Sequence, residues 1–315
     1  MSGNYNINSG YGQLVQSTPF SPGAQVFAVG DSTVAGVDIA KNRIRPHGGI
    51  NRYFATIDAA ISACTANRGD TIYIMPGHAE TVTATSIALD VAGITIIGLG
   101  NADDRPTFTF GAAAATITVS GANCSWSGCR FVGNFLDVAS AFTLGAAKGF
   151  TLSDNLFEDA GASLNFLSIV TTGATDNDAD DLTVDGNIWH GLNTTPLAFV
   201  SILAAENRPR LLNNEMYHAA TSGAEFVTLA AKIVTAALIK DNIQNVVGAT
   251  GTTTGVFLTG SGSTSTGNVM GNVCGSLDTT SELMFTAGTG LKFYDNLYTG
   301  VADKSGYIVP AIDAA

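Results

Sequence analysis

The sequence predicts an all-β fold, a parallel solenoid in which each repeat forms one coil. Three observations carry this expectation. Seven segments share one template: SWSGCRF, TLSDNLF, TVDGNIW, LLNNEMY, LIKDNIQ, NVMGNVC and KFYDNLY. Between them recur short runs rich in Phe, Val, Ile and Thr (AFTL, FLSIV, AFVSIL, EFVTL, GVFLT, LMFT), bounded by Gly, Asn, Asp and Ser, the mark of strands between turns. Helical periodicity is weak across this stretch, and a repeat of roughly 28 residues built from strands and turns is that of stacked coils.

Composition agrees with a large buried core. At 315 residues and 32.3 kDa the chain needs no disulfide or metal to fold. Only 13% of residues are charged and 45% are hydrophobic, the opposite of a disordered chain. The net charge of −12, with 26 acids, 14 bases and no basic run, excludes nucleic acid as the main partner, because phosphate binding needs a local surplus of Lys and Arg. No apolar run approaches the ~18 residues of a membrane span, so no membrane partner is expected. The opening MSGNYNINSG lacks the pattern of a secretory signal, and the expectation is synthesis in a cytoplasm. There Cys64, Cys124, Cys129 and Cys274 act as reduced, small hydrophobes.

Residues 1–50 read as an N-terminal arm: NYNINSGYGQLVQSTPFSPG is rich in turn-formers and poor in core material. AQVFAVGDSTVAGV reads as a hairpin. Residues 51–300 hold the solenoid. Its first element is a capping helix near 53–66, where Phe54, Ile57, Ile61 and Cys64 fall on one helical face. A cap belongs there because an open solenoid end exposes core and sheet edge. The strand Thr71-Ile72-Tyr73-Ile74 and then GITIIGLG begin the coils, and 301–315 is a C-terminal tail.

The template's fifth position is occupied by Cys129, Asn155, Asn187, Glu215, Asn242, Asn272 and Asn296, at separations of 26, 32, 28, 27, 30 and 24. Three residues earlier stand Trp126, Leu152, Val184, Leu212, Ile239, Val269 and Phe293, all apolar. Asn tolerates a left-handed bend, and its amide can donate to and accept from the next coil. The expected reading is a structural ladder of Asn155, Asn187, Glu215, Asn242, Asn272 and Asn296. Two positions after it come Phe131, Phe157, Trp189, Tyr217 and Tyr298. Because the intervening column is apolar too, one column fills the core and the other faces out. Three readings stand, in this order: a subunit interface, a bulge that turns both columns inward, and a sugar-stacking stripe.

FATIDAAISA followed by GDTIYIMPG resembles the entry into pectin-lyase-like right-handed parallel β-helices, with GITIIGLG similar to their first full coil. The resemblance covers roughly residues 52–298 and implies a single-stranded right-handed β-helix. It does not choose a function, since the architecture serves polysaccharide lyases and hydrolases, tailspikes and non-enzymatic virion proteins alike. Within that group the plain Ala/Gly/Thr-rich solenoid is most similar to phage virion β-helix proteins. That resemblance implies a homotrimer on the capsid surface, bound through its arm to the major capsid protein or other virion proteins. The alternative is a tailspike-like protein that binds or degrades host polysaccharide.

No catalytic residue, cofactor or metal site is expected. The basic residues are scattered, and no carboxylate triplet recurs in register beside one. Asp103-Asp104 and Asp180-Asp181 are the two Asp pairs, read as solvated loop charges rather than as a two-carboxylate acid/base site. Asp176 to Asp181 imitates the start of a calcium loop but lacks its glycine, and Asn187 stands where the bidentate Glu belongs. His190 and His218 each follow an assigned ladder residue by three, which would stack them on adjacent coils as a metal-binding or pH-sensing pair; without a third ligand in register they read instead as two loop histidines. His47 and His78 have no evident partners. Arg68-Gly69-Asp70 reads as the turn into the first strand.

Overall fold

The computed structural model describes residues 23–30, 52–84, 86–192, 196–219, 224–229, 232–246, 255–260, 265–276, 285–286, 290–299 and 306–307. They form a right-handed parallel β-helix with three long sheets. Sheet I has 11 strands, running from Tyr53–Phe54 to Leu291–Tyr294; sheet II has 10 and sheet III has 8. Each coil visits the sheets in the order I, II, III, and all neighbouring strands in them are parallel except Gly306–Tyr307, which pairs antiparallel with Leu297 and Tyr298 at the edge of sheet II. Apart from those two residues and Gly23–Gly30, the tail 301–315 and the arm 1–50 lie outside the described residues.

Alternate side chains of each sheet form columns in the core. In sheet I, Phe27, Ile72, Ile96, Trp126, Leu152, Val184, Leu211, Ile239 and Val269 are successive partners, all buried. In sheet II the inward column is Phe108, Phe131, Phe157, Trp189, Met216, Gln244 and Cys274. Phe131 and Phe157 stack at 4.9 Å with planes 18° apart. Near sheet III, Phe199, Phe226 and Phe257 stack at 5.2 and 4.8 Å. Like side chains fall on like positions because parallel strands in register repeat the same environment on every coil.

This arrangement corrects the outward reading of the aromatic column. Phe131, Phe157 and Trp189 are buried core residues, so they are neither an interface nor a sugar stripe. Tyr298 is the strand partner of Cys274. Tyr217 does not belong to that column; it pairs with His190 and faces outward, and Met216 takes the core position beside Trp189. The column immediately after the ladder (Arg130, Leu156, Ile188, then Glu215) is the outer one, half-buried along its length.

The corner between sheets I and II explains the repeat. The residue before each ladder position has a positive φ: Gly128 77°, Asp154 55°, Gly186 65°, Asn213 51°, Asp241 55°, Gly271 68° and Asp295 49°. These are the residue types that enter the left-handed region most readily. The left-handed bend therefore belongs to the residue ahead of the ladder, and the ladder residues themselves have none. Their amides cross-link the coils. The Asn187 Oδ1 accepts from the Asn155 N–H at 3.1 Å and its Nδ2 at 3.0 Å, while Asn187 Nδ2 donates to Asn214 Oδ1 and to the Leu152 carbonyl. The pattern repeats through Asn214, Asn242, Asn272 and Asn296.

Glu215 is not a member. Asn214 holds the position, fully buried, and Glu215 lies on the outer face beside Ile188. The template LLNNEMY offers two asparagines, and the sheet register Val184–Leu211–Ile239 puts the second of them in the ladder.

At the first coil the helix α1 (Ile57–Ala63) buries Ile57, Ala60 and Ile61. It is shorter than its periodicity suggests, because Tyr53–Phe54 form a strand beside Val26–Val29, and Cys64 is already extended. Glu80 Oε2 accepts the Ile57 N–H at 3.0 Å and meets His78 Nε2 at 3.2 Å, which gives His78 the partner that the sequence hides. Val26–Val29 is no hairpin arm: it lies between Tyr53–Phe54 and Thr71–Ile74, parallel to both. Asp70 fixes this junction. Fully buried, its carboxylate accepts from the Gln25 and Thr65 N–H groups and, bidentately, from Arg68. Burial alone would raise its pKa, but the Arg68 guanidinium and the two N–H donors outweigh that and hold the carboxyl below its ordinary range.

Candidate functional site

Once the ladder is aligned on Asn214, the third residue after it falls on the outer face of sheet II. The column then reads Val132, Glu158, His190, Tyr217 and Asn245, each the strand partner of the next. Carboxylate, imidazole and phenol thus stand on three successive coils, about 4.8 Å apart by strand spacing. This register also separates the two histidines. His190 is exposed on the outer face, whereas His218 lies buried beside Trp189 with ring centroids 4.3 Å apart. A one-residue slip exchanges the faces of a strand, so the expected stacking of His190 on His218 does not occur.

Around the column lies a shallow groove of about 570 Å³, lined by Arg130, Val132, Glu158, Asp159, Ala160, His190, Gly191, Leu192, Tyr217, His218 and Ala219. Its size is that of a small-ligand site. Arg130 Nε is in close ion-pair contact with Glu158 Oε2. The Tyr217 hydroxyl donates to Glu215 Oε2 at 2.9 Å, and this bond pushes the phenol pKa up, keeping it protonated. The His190 and Tyr217 rings meet edge to face at 5.7 Å.

The floor is structural. Asp159 accepts from the Phe166 N–H at 3.0 Å and the Leu192 N–H at 2.8 Å, tying the groove wall to the loops beyond it. At Gly191 the His218 imidazole occupies the space of the missing side chain: a Cβ there would lie 1.9 Å from His218 Nε2. The arrangement can accept hydrogen bonds at the carboxylates, donate or accept at His190, and offer apolar surface at Val132, Ala160 and Leu192.

The other residues singled out in the sequence are placed elsewhere. Asp103 and Asp104 are exposed on a 3₁₀ turn. Asp181 is ion-paired with Arg208, and Asp180 lies 3.6 Å from Lys148. The acidic loop sits on the next coil through Asn177 and Asn207 (2.7 Å) and through Asp180 to the Asn207 N–H (2.8 Å). Among the described residues no group of three or more His, Cys, Asp or Glu is arranged to hold a metal ion. Beneath that loop Glu206 is 2% exposed and accepts the Ala179 N–H at 3.0 Å. Burial, reinforced by Asp180, Asp178 and Asp176, pushes its pKa up to about 7. The four cysteines are free thiols, and burial pushes Cys129 and Cys274 up to about 12.

Sequence reading missed the groove. Its signal was present as the third position after the ladder, but the Glu215 assignment moved His218 and Tyr217 to the wrong faces.

No protein-family model matches the chain, and no curated protein matches it in sequence. Among solved structures, a rhamnogalacturonan lyase matches with a TM-score of 0.50, over 91% of this chain and 84% of that one, at 12% identity. This is a likeness of fold. The chain has a parallel β-helix architecture, and an architecture of this kind hosts unrelated activities.

Proposed function

We propose that this protein is a non-enzymatic structural component of a tailed-phage virion, a homotrimeric β-helix that decorates the capsid surface and attaches to the shell through its N-terminal arm. One observation carries the reading. Phe135, Leu136, Leu164, Leu192 and Leu197 are all exposed, Leu136 by 56% and Leu197 by 57%, and all lie at the corner between sheets II and III. Backbone hydrogen bonds link the successive loops there, from the Asn165 N–H to the Phe135 carbonyl and from the Leu197 N–H to the Leu167 carbonyl. A ridge of large apolar side chains marks a surface that another protein covers. The base of the arm suits an attachment segment, since Val26–Val29 is built into sheet I and Gln25 is held by buried Asp70.

Light scattering on the full chain tests the trimer. The expected mass is three times the 32.3 kDa of one chain, and Leu136→Glu with Leu197→Glu should reduce it to the monomer while the thermal transition persists. A stable wild-type monomer at micromolar concentration would remove the trimer. Release of unsaturated products from an acidic polysaccharide would replace the structural reading with a lyase.

A further inference from the structure

We infer that the outer face of sheet III turns toward the threefold axis of the trimer, so that its two rims pack on the rims of neighbouring copies. This rests on the homotrimer proposed above and names the surface that builds it. Charge singles out the face. The outward column of sheet III is Thr118, Thr143, Thr171, Ser201, Thr228 and Thr259, strand partners on successive coils. Among the described residues it holds no ionisable side chain. Sheet II carries Arg130, Glu158, His190 and Glu215 on its outer face, and sheet I carries Asp185, Arg210, Lys240 and Lys292. The one carboxylate beside the threonine column, that of Glu225, accepts the Thr259 hydroxyl. Copies of a chain with net charge −12 repel, and the centre of an interface is depleted of charge, so an uncharged face suits an identical copy.

The rims are complementary. Of the eight exposed large hydrophobics among the described residues, seven border this sheet and only Tyr294 does not. Phe135, Leu136, Leu164, Leu192 and Leu197 lie where the chain enters sheet III, and Leu203 and Ile233 where it leaves. The other leaving loops open with small residues: Gly145-Ala146 after Phe142–Leu144, and Gly173-Ala174 after Ser168–Thr172. The charges farther along that rim are matched within the chain, Asp181 by Arg208 and Asp180 by Lys148. Rotation about an axis parallel to the solenoid keeps each coil at its own height, so the entering rim of one copy meets the same coil's leaving rim on the next. Phe135 and Leu136 then cover Gly145-Ala146, Leu164 covers Gly173-Ala174, and Leu197 meets Leu203. Bulk falls on small residues over two coils and apolar on apolar over the third. Such a contact is head-to-tail, and it closes as a ring.

The test is cross-linking of the full-length protein with a short bismaleimide, read by denaturing electrophoresis. Two double variants are used, Leu197→Cys with Leu203→Cys and Leu164→Cys with Ala174→Cys. The wild type, treated in parallel, records any background from the native thiols, and each variant must keep the wild-type melting transition. Covalent trimers are expected, because each chain then offers one thiol to each neighbour. Trapping by either pair, with the corresponding single variants monomeric on the gel, supports the inference. The control Leu197→Cys with Ser153→Cys, whose second thiol lies on the outer face of sheet I, should give none. A wild-type oligomer by light scattering from which neither pair yields covalent trimers overturns the face assignment and leaves the trimer standing. So do covalent trimers from the Ser153 control, or dimers from a single variant, which would place like residues together. A stable wild-type monomer removes the trimer and this inference with it.

Discussion

Asn213 and Asn214 divide one corner of the solenoid between them. Asn213 takes the left-handed backbone at φ 51°, and Asn214 directs its amide into the interior, where Asn187 and Asn242 bond to it at 3.1 and 3.0 Å. Neighbouring residues of one type thus do unlike work, and substitution separates them. Asn214→Ala removes the acceptor of the Asn187 N–H and a donor to the Val184 carbonyl, and orphaned buried groups cost about 1–3 kcal/mol each. Chemical denaturation should show a loss of roughly 2–4 kcal/mol. Asn213→Gly keeps the bend available and should change stability by a few tenths of a kcal/mol. Equal effects at both positions would contradict this division.

Phe157 and Trp189 lie inside sheet II, not on its surface. Phe157→Ala should cost about 3–5 kcal/mol, as for truncation of a large buried aromatic. The same denaturation series, repeated at two protein concentrations, distinguishes core from interface: a core defect lowers the midpoint equally at both.

Glu206 makes stability depend on pH. Its folded pKa of about 7 lies above the ordinary 4.5, so the folded state binds the extra proton between those values. Its contribution is full below pH 4.5 and is lost as pH rises through 7. Glu206→Gln, which mimics the protonated acid, should remove this component and raise the melting temperature at pH 8 relative to wild type. At pH 4 the two should melt together. A larger stabilisation at pH 4 than at pH 8 would reverse the assigned sign.

Asp70 works in the other direction. Its depressed pKa contributes stability above the ordinary carboxylate value of 3.8, and that contribution disappears as pH falls through the lower folded value. Asp70→Asn should cost less than the roughly 3–5 kcal/mol of a fully buried broken pair, since the Arg68 side chain is 23% exposed. Hydrogen exchange should accelerate first at Val26–Val29, the strand that Asp70 holds through Gln25. Uniform acceleration along the solenoid would show that the junction is not local.

The solenoid was legible because each coil from Leu152 onward repeats one chemistry: an apolar residue, a left-handed Gly, Asp or Asn, then a buried Asn. Length variation between coils did not obscure it, because the insertions fall in loops such as the one carrying Asp176 to Asp181. The groove was not legible for a specific reason. LLNNEMY fits the template in two registers, and a slip of one residue turned Met216, Tyr217 and His218 to opposite faces. The helix was overextended for a different reason, since Phe54 fits a helical face by spacing yet is captured by the edge of sheet I beside Val29. The Asp70 clamp joins residues up to 45 positions apart, beyond the reach of any local pattern.

The central claim, a structural role on the virion surface, is tested most directly by stoichiometry. On the proposed reading, quantitative mass spectrometry of purified tailed-phage particles that contain the protein should give copies on the scale of the major capsid protein. A handful of copies confined to the tail, or absence from every such particle, would contradict the account.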